Sequence, residues 1–302
     1  MTTTVAGSME QMKSGETLGR YTTVLRPGVG GLASIDAPQV QALLKAGRAI
    51  LFRGFGFDAE AVRTVALRFA SRFHVDTGKS KENDPSPFDP GRPFLQRILP
   101  RGHAQALHCE NGRSVSPPVL LWFWCERPAA EGGATTICDG VRLWEALSPQ
   151  TQRLFQRERV AYGAGGAVPT QAMLAQLQQS YLAKDFAIEQ LRGQIFRFFD
   201  DDTAIVEYAT SAVHRSHFSE LPAFTNSITG PYRGTVRLES TGDIPHAVME
   251  EITSAQEALT DEIPWETGDL LMLDNSRFTH GRRGFSDLER KVYSMMGDPS
   301  FA

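Results

Sequence analysis

Cysteine is scarce in this chain. Its 302 residues include three cysteines, Cys109, Cys125 and Cys138, and no two of them have the Cys-x-x-Cys spacing. A small, odd set of thiols argues against a disulfide framework, because such frameworks need paired cysteines and an oxidising compartment. We therefore expect a cytoplasmic protein.

The sequence also lacks an excess of positive charge and any long apolar run. Its formal net charge is −4, whereas nucleic acids and anionic membranes attract a concentrated positive field. No apolar run approaches the roughly 18 residues that a membrane-spanning helix requires. The N-terminus has no basic start followed by an apolar core, so export is not expected. The expected partner is a small molecule, not nucleic acid or a membrane, and the oligomeric state is left open.

What is present is a globular composition, with 41% hydrophobic and 22% charged residues. Short apolar runs typical of strands alternate with longer segments of helical spacing. Strands are predicted over 49–55, 119–125, 135–138, 194–199, 204–208, 234–238, 270–273 and 291–296. Helices are predicted over 39–46, after Asp58, after Ser148-Pro149 and over 169–192.

This order of elements predicts a mainly β fold with helical insertions, built on a β-sandwich or jelly-roll core. Residues 1–18 are small and polar and are predicted to be flexible, which leaves 19–302 as one domain. The helix after Asp58 is predicted from Val62, Val65, Phe69 and Phe73, which recur at helical spacing.

Two segments are predicted to cover a pocket. Residues 83–100 are rich in proline, aspartate and glycine, a composition that favours a loop. Residues 209–232 are the second candidate for the pocket cover. Neither segment carries a motif that identifies a substrate.

A metal site is indicated by His108-Cys109-Glu110 together with the distant His280. Along a strand, residues i and i+2 share a face, so His108 and Glu110 can bind one ion while Cys109 points away. Two imidazoles and one carboxylate hold non-haem Fe(II) on one face and leave other coordination positions open. His214 and His217, spaced i and i+3, are interpreted as structural because no third ligand is evident.

Two further features support this interpretation. Arg290 begins the apolar run that ends at Met296, so its planar guanidinium can point inward and bind a carboxylate. Thr135 follows Gly132-Gly133, a turn that lets backbone approach a ligand closely. Arg282 and Arg283 are interpreted as braces of their loop through carboxylates.

Taken together, these motifs resemble the Fe(II)/2-oxoglutarate-dependent oxygenases of the taurine dioxygenase and clavaminate synthase-like superfamily. The matching landmarks span about residues 30–297 and are, in order, Leu107-His108-Cys109-Glu110-Asn111, Gly132-Gly133-Ala134-Thr135, Gly268-Asp269, Asp274-Asn275, His280-Gly281-Arg282 and Arg290. The resemblance is strongest to the branch of syringomycin-pathway hydroxylases, whose members act on amino acids or carrier-bound acyl groups.

The resemblance implies a double-stranded β-helix core with iron at its open end, and Fe(II), 2-oxoglutarate and O2 as the reacting partners. His108, Glu110 and His280 would bind the iron, and no other residue would be catalytic. Arg290 and Thr135 would bind the far carboxylate of 2-oxoglutarate.

Two positions distinguish this chain from parts of the superfamily. Sulfonate-using members carry a second arginine four positions after the first, where this chain has Ser294, so taurine is not the expected substrate. Halogenating members replace the carboxylate ligand by a small residue, whereas Glu110 is intact. The expected reaction is hydroxylation of a small amino-acid-like substrate, free or carrier-bound, in specialised metabolism.

Substrate contacts are predicted more loosely. Asn111 follows the metal motif, and Gln105 lies on the strand before it. Arg97 and Arg101 precede that strand and are candidates for binding a substrate carboxylate. Each of the four also has a structural interpretation. Asn111 could cap a turn, Gln105 could form a structural hydrogen bond, and the two arginines could be solvated surface residues.

Several alternatives stay open at this point. With the same cofactors, the outcome could be desaturation, epoxidation or cyclisation, because placement of the substrate decides the fate of its radical. A non-catalytic β-sandwich that binds a metal and a small ligand is an alternative of another class. A zinc hydrolase could also use two histidines and a glutamate. Neither of these last two explains Arg290 or the Gly-Gly-Ala-Thr segment.

Overall fold

The computed structural model describes residues 13–74, 94–112, 116–163, 166–182, 193–230 and 235–301. Within these ranges, no helix combines the length and the apolar character needed to cross a lipid bilayer.

Strands dominate the described chain. The strands are β1 Lys13–Leu18, β2 Thr22–Arg26, β3 Ala49–Phe52, β4 Ala70–His74, β5 Gln96–Arg97, β6 Gln105–His108, β7 Leu120–Arg127, β8 Thr135–Asp139, β9 Arg159–Gly163, β10 Val168–Pro169, β11 Gln194–Phe198, β12 Thr203–Ser211, β13 His214–Arg215, β14 Pro222–Ala223, β15 Val236–Leu238, β16 Thr260–Ile263, β17 Leu270–Asp274, β18 Phe278–Arg282 and β19 Lys291–Pro299. The α-helices are α1 Ala37–Lys45, α2 Ala59–Ala66, α3 Gly140–Ala146, α4 Pro149–Arg157, α5 Thr170–Leu182 and α6 His246–Leu259.

Two sheets form the core of the fold. The large sheet has the order β1-β2-β3-β17-β7-β19-β4, with β5 added beside β19, and the small sheet has the order β16-β8-β18-β6. Pairing is antiparallel except between β2 and β3. A third sheet, with the order β10-β12-β9-β15 and β11 beside β12, and the two-stranded β13-β14 complete the described strands.

The central strands of the large sheet are apolar on both faces because both faces are covered. On β7, Leu121 and Phe123 pack toward the small sheet in one core cluster, with Ile137 of β8 and Phe278 of β18. The alternate residues Leu120, Trp122 and Trp124 join a second cluster that includes side chains of α1 and α2. A strand buried on both sides has no polar alternation, which explains the continuous apolar runs in the sequence.

The predicted fold class is confirmed, and most predicted elements are present with shifted ends. Asp58 caps α2 by accepting a hydrogen bond from the Ala61 backbone N–H. That helix ends at Ala66, however, and Phe73 lies on β4, so the helical interpretation of Phe73 is wrong. The apolar spacing continues past the helix because β4 packs against the same core.

Three other expectations need correction. Lys13–Leu18, expected to be flexible, pairs with β2 as strand β1, while residues 1–12 lie outside the described residues. Gln96–Arg97, expected to lie in a loop, forms β5 beside β19, and residues 83–93 are not described. His214 is on strand β13, not on a helix.

Candidate metal centre and co-substrate pocket

The small sheet brings the two predicted histidine ligands together. His108 ends β6, His280 lies in the middle of β18, and these two residues are direct cross-strand partners. Their ring centres are 4.3 Å apart. Since cross-strand partners point to the same face of a sheet, both imidazoles are delivered to one side.

A β-bulge next to this histidine pair changes the register of β18 against β6. The register shifts between His280 and Arg282, so that Arg282 is opposite Gln105, three residues before His108. Gly281 sits at the bulge, where a Cβ atom would lie 2.5 Å from the Gln105 carbonyl oxygen. Only glycine allows the two backbones to approach this closely.

Glu110 reaches the histidines by a route that differs from the sequence prediction. Strand β6 ends at His108, so simple strand alternation does not place the carboxylate. Instead, the Asn275 side chain holds the Glu110 backbone on both sides. Its Oδ1 accepts from the Glu110 N–H at 2.9 Å, and its Nδ2 donates to the Glu110 carbonyl at 3.0 Å and to the Pro118 carbonyl at 2.8 Å.

The three side chains form a compact donor set. One ligand atom from each of His108, Glu110 and His280 lies within 4.8 Å of the others, and this is the one such group of three among the residues that the structure describes. The His280 Nε2 is 3.5 Å from a Glu110 carboxylate oxygen. The His108 Nδ1 bonds to the Ala106 carbonyl at 3.0 Å, which leaves its Nε2 lone pair for a metal.

The local electrostatics suit a cation. Burial, followed by the charge of His280, lowers the pKa of His108 to about 4, so its imidazole is neutral near pH 7. Burial pushes the pKa of Glu110 up, but the hydrogen bond from His280 and the electrostatic interaction with the two histidines outweigh burial and lower it. Neutral imidazoles and an ionised carboxylate are the forms that bind metal ions.

His280 is oriented by packing more than by hydrogen bonding. It is 4% exposed, and its ring centre lies 5.1 Å from that of Phe123 on the facing sheet. Its Nδ1 has no hydrogen-bond partner in the described part of the chain. No sequence pattern predicts this role for Phe123, because an aromatic residue in an apolar strand is ordinarily only a core residue.

The turn between β17 and β18 fixes the other end of the site. Buried Asp274 accepts hydrogen bonds from the Ser276 N–H at 2.9 Å and from the Ser216 hydroxyl at 3.1 Å. Buried Arg277 donates to Asp139 at 2.8 Å between Nη2 and Oδ2. This turn therefore positions Asn275, and through it Glu110, on the same frame that carries His280.

Arg290, the residue before β19, is a buried cation. Its side chain is 2% exposed, and one guanidinium nitrogen, Nη2, donates to the Gly133 carbonyl at 3.1 Å. Its Nε and Nη1 have no partner within the described ranges. Burial, followed by the charge of Arg282, lowers the pKa of Arg290 to about 10. A buried guanidinium with two unpartnered nitrogens suits a carboxylate ligand.

Thr135 is the second residue predicted to bind the far carboxylate of 2-oxoglutarate. It lies on β8, 4% exposed, opposite Arg282 in the neighbouring strand. The Trp265 indole N–H donates to the Thr135 hydroxyl oxygen at 3.1 Å. A hydroxyl that accepts this bond can still donate its own proton, so Thr135 can also donate to a ligand. The part played by Trp265 was not foreseen.

Gly132 and Gly133 permit the close packing of this pocket. Both have positive φ angles, of 70° and 69°. A Cβ atom on Gly132 would overlap the Gly284 carbonyl oxygen, and one on Gly133 would lie 3.1 Å from the Arg290 Nε. The expected role of the pair in close backbone approach therefore extends to Arg290 itself.

The interpretation of Arg282 as a carboxylate brace is wrong. Arg283 does pair with carboxylates, at 2.7 Å to Glu262 and 3.2 Å to Glu257. Arg282 is 6% exposed and donates to backbone carbonyls, at 3.0 Å to His103 and 3.5 Å to Leu99. Burial lowers the pKa of Arg282.

The predicted substrate residues are spread around the site. Asn111 adopts a positive φ of 51° and donates to the Met296 sulfur at 3.7 Å. Arg97, on β5, has a buried Nε without a partner among the described residues. Arg101 is exposed in the segment before β6. Their roles, like that of Gln105, remain predictions.

Known proteins share this architecture. The dapdiamide synthesis protein DdaC of Enterobacter agglomerans is 22% identical over 287 residues, covering 87% of this chain and 85% of its own. A taurine dioxygenase from Burkholderia xenovorans superposes with a TM-score of 0.61 at 15% identity, covering 95% and 89% of the two chains. PvcB, an Fe, α-ketoglutarate-dependent oxygenase from an isonitrile synthetic pathway, gives a TM-score of 0.59 at 15% identity, covering 98% and 94%.

Residues 27–296, which include every landmark of the metal centre and the pocket, match the taurine catabolism dioxygenase TauD, TfdA family. Its members are dioxygenases that use Fe(II), 2-oxoglutarate and O2. The chain belongs to this family.

Proposed function

We propose that the chain hydroxylates an unactivated C–H bond of a small amino-acid-like substrate, with succinate and CO2 as co-products. Fe(II) is held by His108, Glu110 and His280, and 2-oxoglutarate is held by Arg290 and Thr135. The observation that carries the proposal is the meeting of three ligand atoms within 4.8 Å beside a buried arginine without a carboxylate partner in the described chain.

In this proposal, some residues bind the metal and the co-substrate, and others orient the binding residues. Iron with 2-oxoglutarate and O2 supplies the oxidation, in which decarboxylation to succinate accompanies transfer of oxygen to the substrate. Neutral His108 and ionised Glu110 bind the cation without first losing a proton at neutral pH. Asn275 keeps the Glu110 backbone in place, and the Thr135 hydroxyl donates toward the carboxylate that Arg290 pairs with.

The substrate side of the pocket differs from that of a sulfonate-using enzyme. Ser294 on β19 is the cross-strand partner of Phe123, and alternation with Val292 and Met296 turns it toward the space between the sheets. The position that would carry a sulfonate-binding arginine is therefore small and uncharged. We infer that the substrate anion is bound elsewhere.

The relatives support a place in specialised metabolism, since one takes part in dapdiamide synthesis and another in an isonitrile pathway. We propose that the partner is a small molecule, free or attached to a carrier protein. The three cysteines are free and buried, which is compatible with the reducing cytoplasm that we propose as the location.

The first experiment adds Fe(II) and 2-oxoglutarate anaerobically to metal-free protein and records the weak visible charge-transfer band of the iron chelate. Arg290→Leu is measured alongside the wild type. We expect a saturable band in the wild type and a much higher half-saturating concentration in the variant. His108→Ala, Glu110→Ala and His280→Ala should give no band and no turnover.

No band, with tight retention of zinc, would refute the proposal and favour a hydrolase or a binding protein. If the band forms, candidate amino acids are screened by succinate release and product mass. A gain of one oxygen atom supports hydroxylation or epoxidation, which retention of every carbon–carbon double bond of the substrate distinguishes in favour of hydroxylation, whereas a loss of two hydrogens identifies desaturation or cyclisation instead.

A further inference from the structure

Arg282 is a second buried arginine beside Arg290, and neither forms an ion pair within the described residues. The two side chains are 6% and 2% exposed. Their guanidinium carbons lie 4.9 and 5.2 Å from the centre of the same Phe285 ring. The pocket therefore concentrates two positive charges around one aromatic side chain.

A role as a structural brace does not account for this arrangement. Arg282 donates to the carbonyls of Leu99 and His103, but carbonyls do not neutralise a buried charge. Its Nε has no partner in the described chain, and the neighbouring cation adds repulsion. Arg283, one residue later, shows the ordinary solution, since it is partly exposed and pairs with two glutamates. Two uncompensated buried cations indicate a ligand with negative charge.

The position of Arg282 relates it to the co-substrate. It lies two residues after His280 on β18, on the same face and about 7 Å further along the strand. Its backbone is opposite Thr135, and the loop that follows it packs against Gly132 and Gly133. Arg282 thus lies on the side of the metal centre where Thr135 and Arg290 are found.

We propose that Arg282 shares the far carboxylate of 2-oxoglutarate with Arg290 and thereby makes the pocket select a dicarboxylic 2-oxo acid. A carboxylate has about four acceptor positions, enough for one bond from each of the three unpartnered nitrogens (Arg282 Nε, Arg290 Nε and Arg290 Nη1) and one from the Thr135 hydroxyl. This inference rests on the proposed function and adds a residue that selects the co-substrate.

The test compares two 2-oxo acids that chelate iron with the same end. 2-Oxovalerate has a methyl group where 2-oxoglutarate has its far carboxylate. Both are titrated anaerobically into the Fe(II) protein, and the chelate band is recorded. Arg282→Met removes the charge and keeps the stem, Arg282→Lys restores the charge, and Arg283→Met is the matched control at an adjacent, partly exposed position. Thermal melting of each ligand-free variant reports on folding.

For Arg282→Met we expect the half-saturating 2-oxoglutarate concentration to rise about tenfold or more, as for loss of a charged hydrogen-bond partner. Binding of 2-oxovalerate should be unchanged, Arg282→Lys should recover most of the affinity, and Arg283→Met should match the wild type. Equal shifts for both acids, or no shift for either, would overturn the inference while leaving the proposed function in place. If the wild type gives no band with either acid, both fail.

Discussion

The buried arginines of this protein fall into two groups with opposite surroundings. Arg53 pairs with Asp269 at 2.6 Å, and Arg277 pairs with Asp139 at 2.8 Å, and both carboxylates are buried as well. Arg282 and Arg290 are buried to a similar extent without a carboxylate partner among the described residues.

The difference separates charges that stabilise the fold from charges that, on our proposal, bind a ligand. The two ion pairs lie at the two ends of β17, since Asp269 precedes this strand and Arg277 follows it. They therefore hold in place the strands and turns that carry the site. The unpaired arginines lie inside the site, where their own desolvation makes the ligand-free protein less stable than it could be. The same side chain therefore has two functions, and the presence of a neighbouring carboxylate distinguishes them.

Removing a carboxylate from the paired group should have the largest effect. Asp269→Ala leaves the Arg53 guanidinium buried without its main partner, and we expect the free energy of unfolding to fall by about 3–5 kcal/mol. Urea denaturation measures this. Glu145→Ala, which removes an exposed partner of Arg142, is the control and should change stability by less than about 0.5 kcal/mol. Similar losses in both variants would contradict the distinction.

Removing a cation from the unpaired group should act on binding instead. We expect Arg290→Leu to raise the half-saturating concentration of 2-oxoglutarate by about 100-fold, or about 2.7 kcal/mol. The unfolding free energy of the ligand-free variant should be unchanged or higher, because an uncompensated charge has been removed. A variant that unfolds more easily and binds 2-oxoglutarate normally would place Arg290 with the structural group.

A smaller effect, on metal affinity, is expected at Asn275, which links the turn after β17 to Glu110. Asn275→Ala removes the hydrogen bonds that hold the Glu110 backbone, and we expect Fe(II) affinity to fall by about 10-fold to 100-fold. Competition with a coloured chelator measures this change. Ser276→Ala alters the same turn without touching Glu110 and is the control. Equal iron affinity in Asn275→Ala and the wild type would exclude the positioning role.

The smallest effect concerns a paired carboxylate far from the site. The hydrogen bond from Arg237 is the main cause that lowers the pKa of Glu207 below its ordinary value of 4.5. Burial raises this pKa, and the hydrogen bond from Arg197 lowers it further. Its contribution to stability is therefore present above pH 4.5 and is lost as the pH falls through the lower, folded-state value. Glu207→Gln should flatten the decline of the urea midpoint in this acidic range. An unchanged slope would show that other carboxylates dominate.

The sequence was informative wherever function depends on residue type at short range. Motifs predict the two histidines and Glu110 as metal ligands, and the structure brings their ligand atoms within 4.8 Å of one another. The roles of Arg290 and Thr135 stay predictions. The placement of Glu110 was not foreseen, because it depends on hydrogen bonds from Asn275, which is distant in the chain.

The hydrogen-bond partners of Arg282 could not be predicted from the sequence for a related reason. A bulge shifts β18 against β6, and the guanidinium ends beside backbone carbonyls that no side-chain pattern reveals. Adjacent Arg283 has nearly the same sequence context and the opposite surroundings. Strand register, which is set by tertiary packing, determines which of the two arginines is buried and which one reaches the glutamates.

Strand β6 has a consequence for how the site opens and closes. It contains four residues and, among the described strands, is paired on one side only, at the edge of the small sheet, whereas β18 is flanked by β8 and β6. Edge strands open at low free-energy cost, so amide hydrogens around His108 should exchange with solvent faster than those around His280. Metal binding would then slow exchange chiefly on β6, which would make occupancy of the site visible as a local change in backbone dynamics.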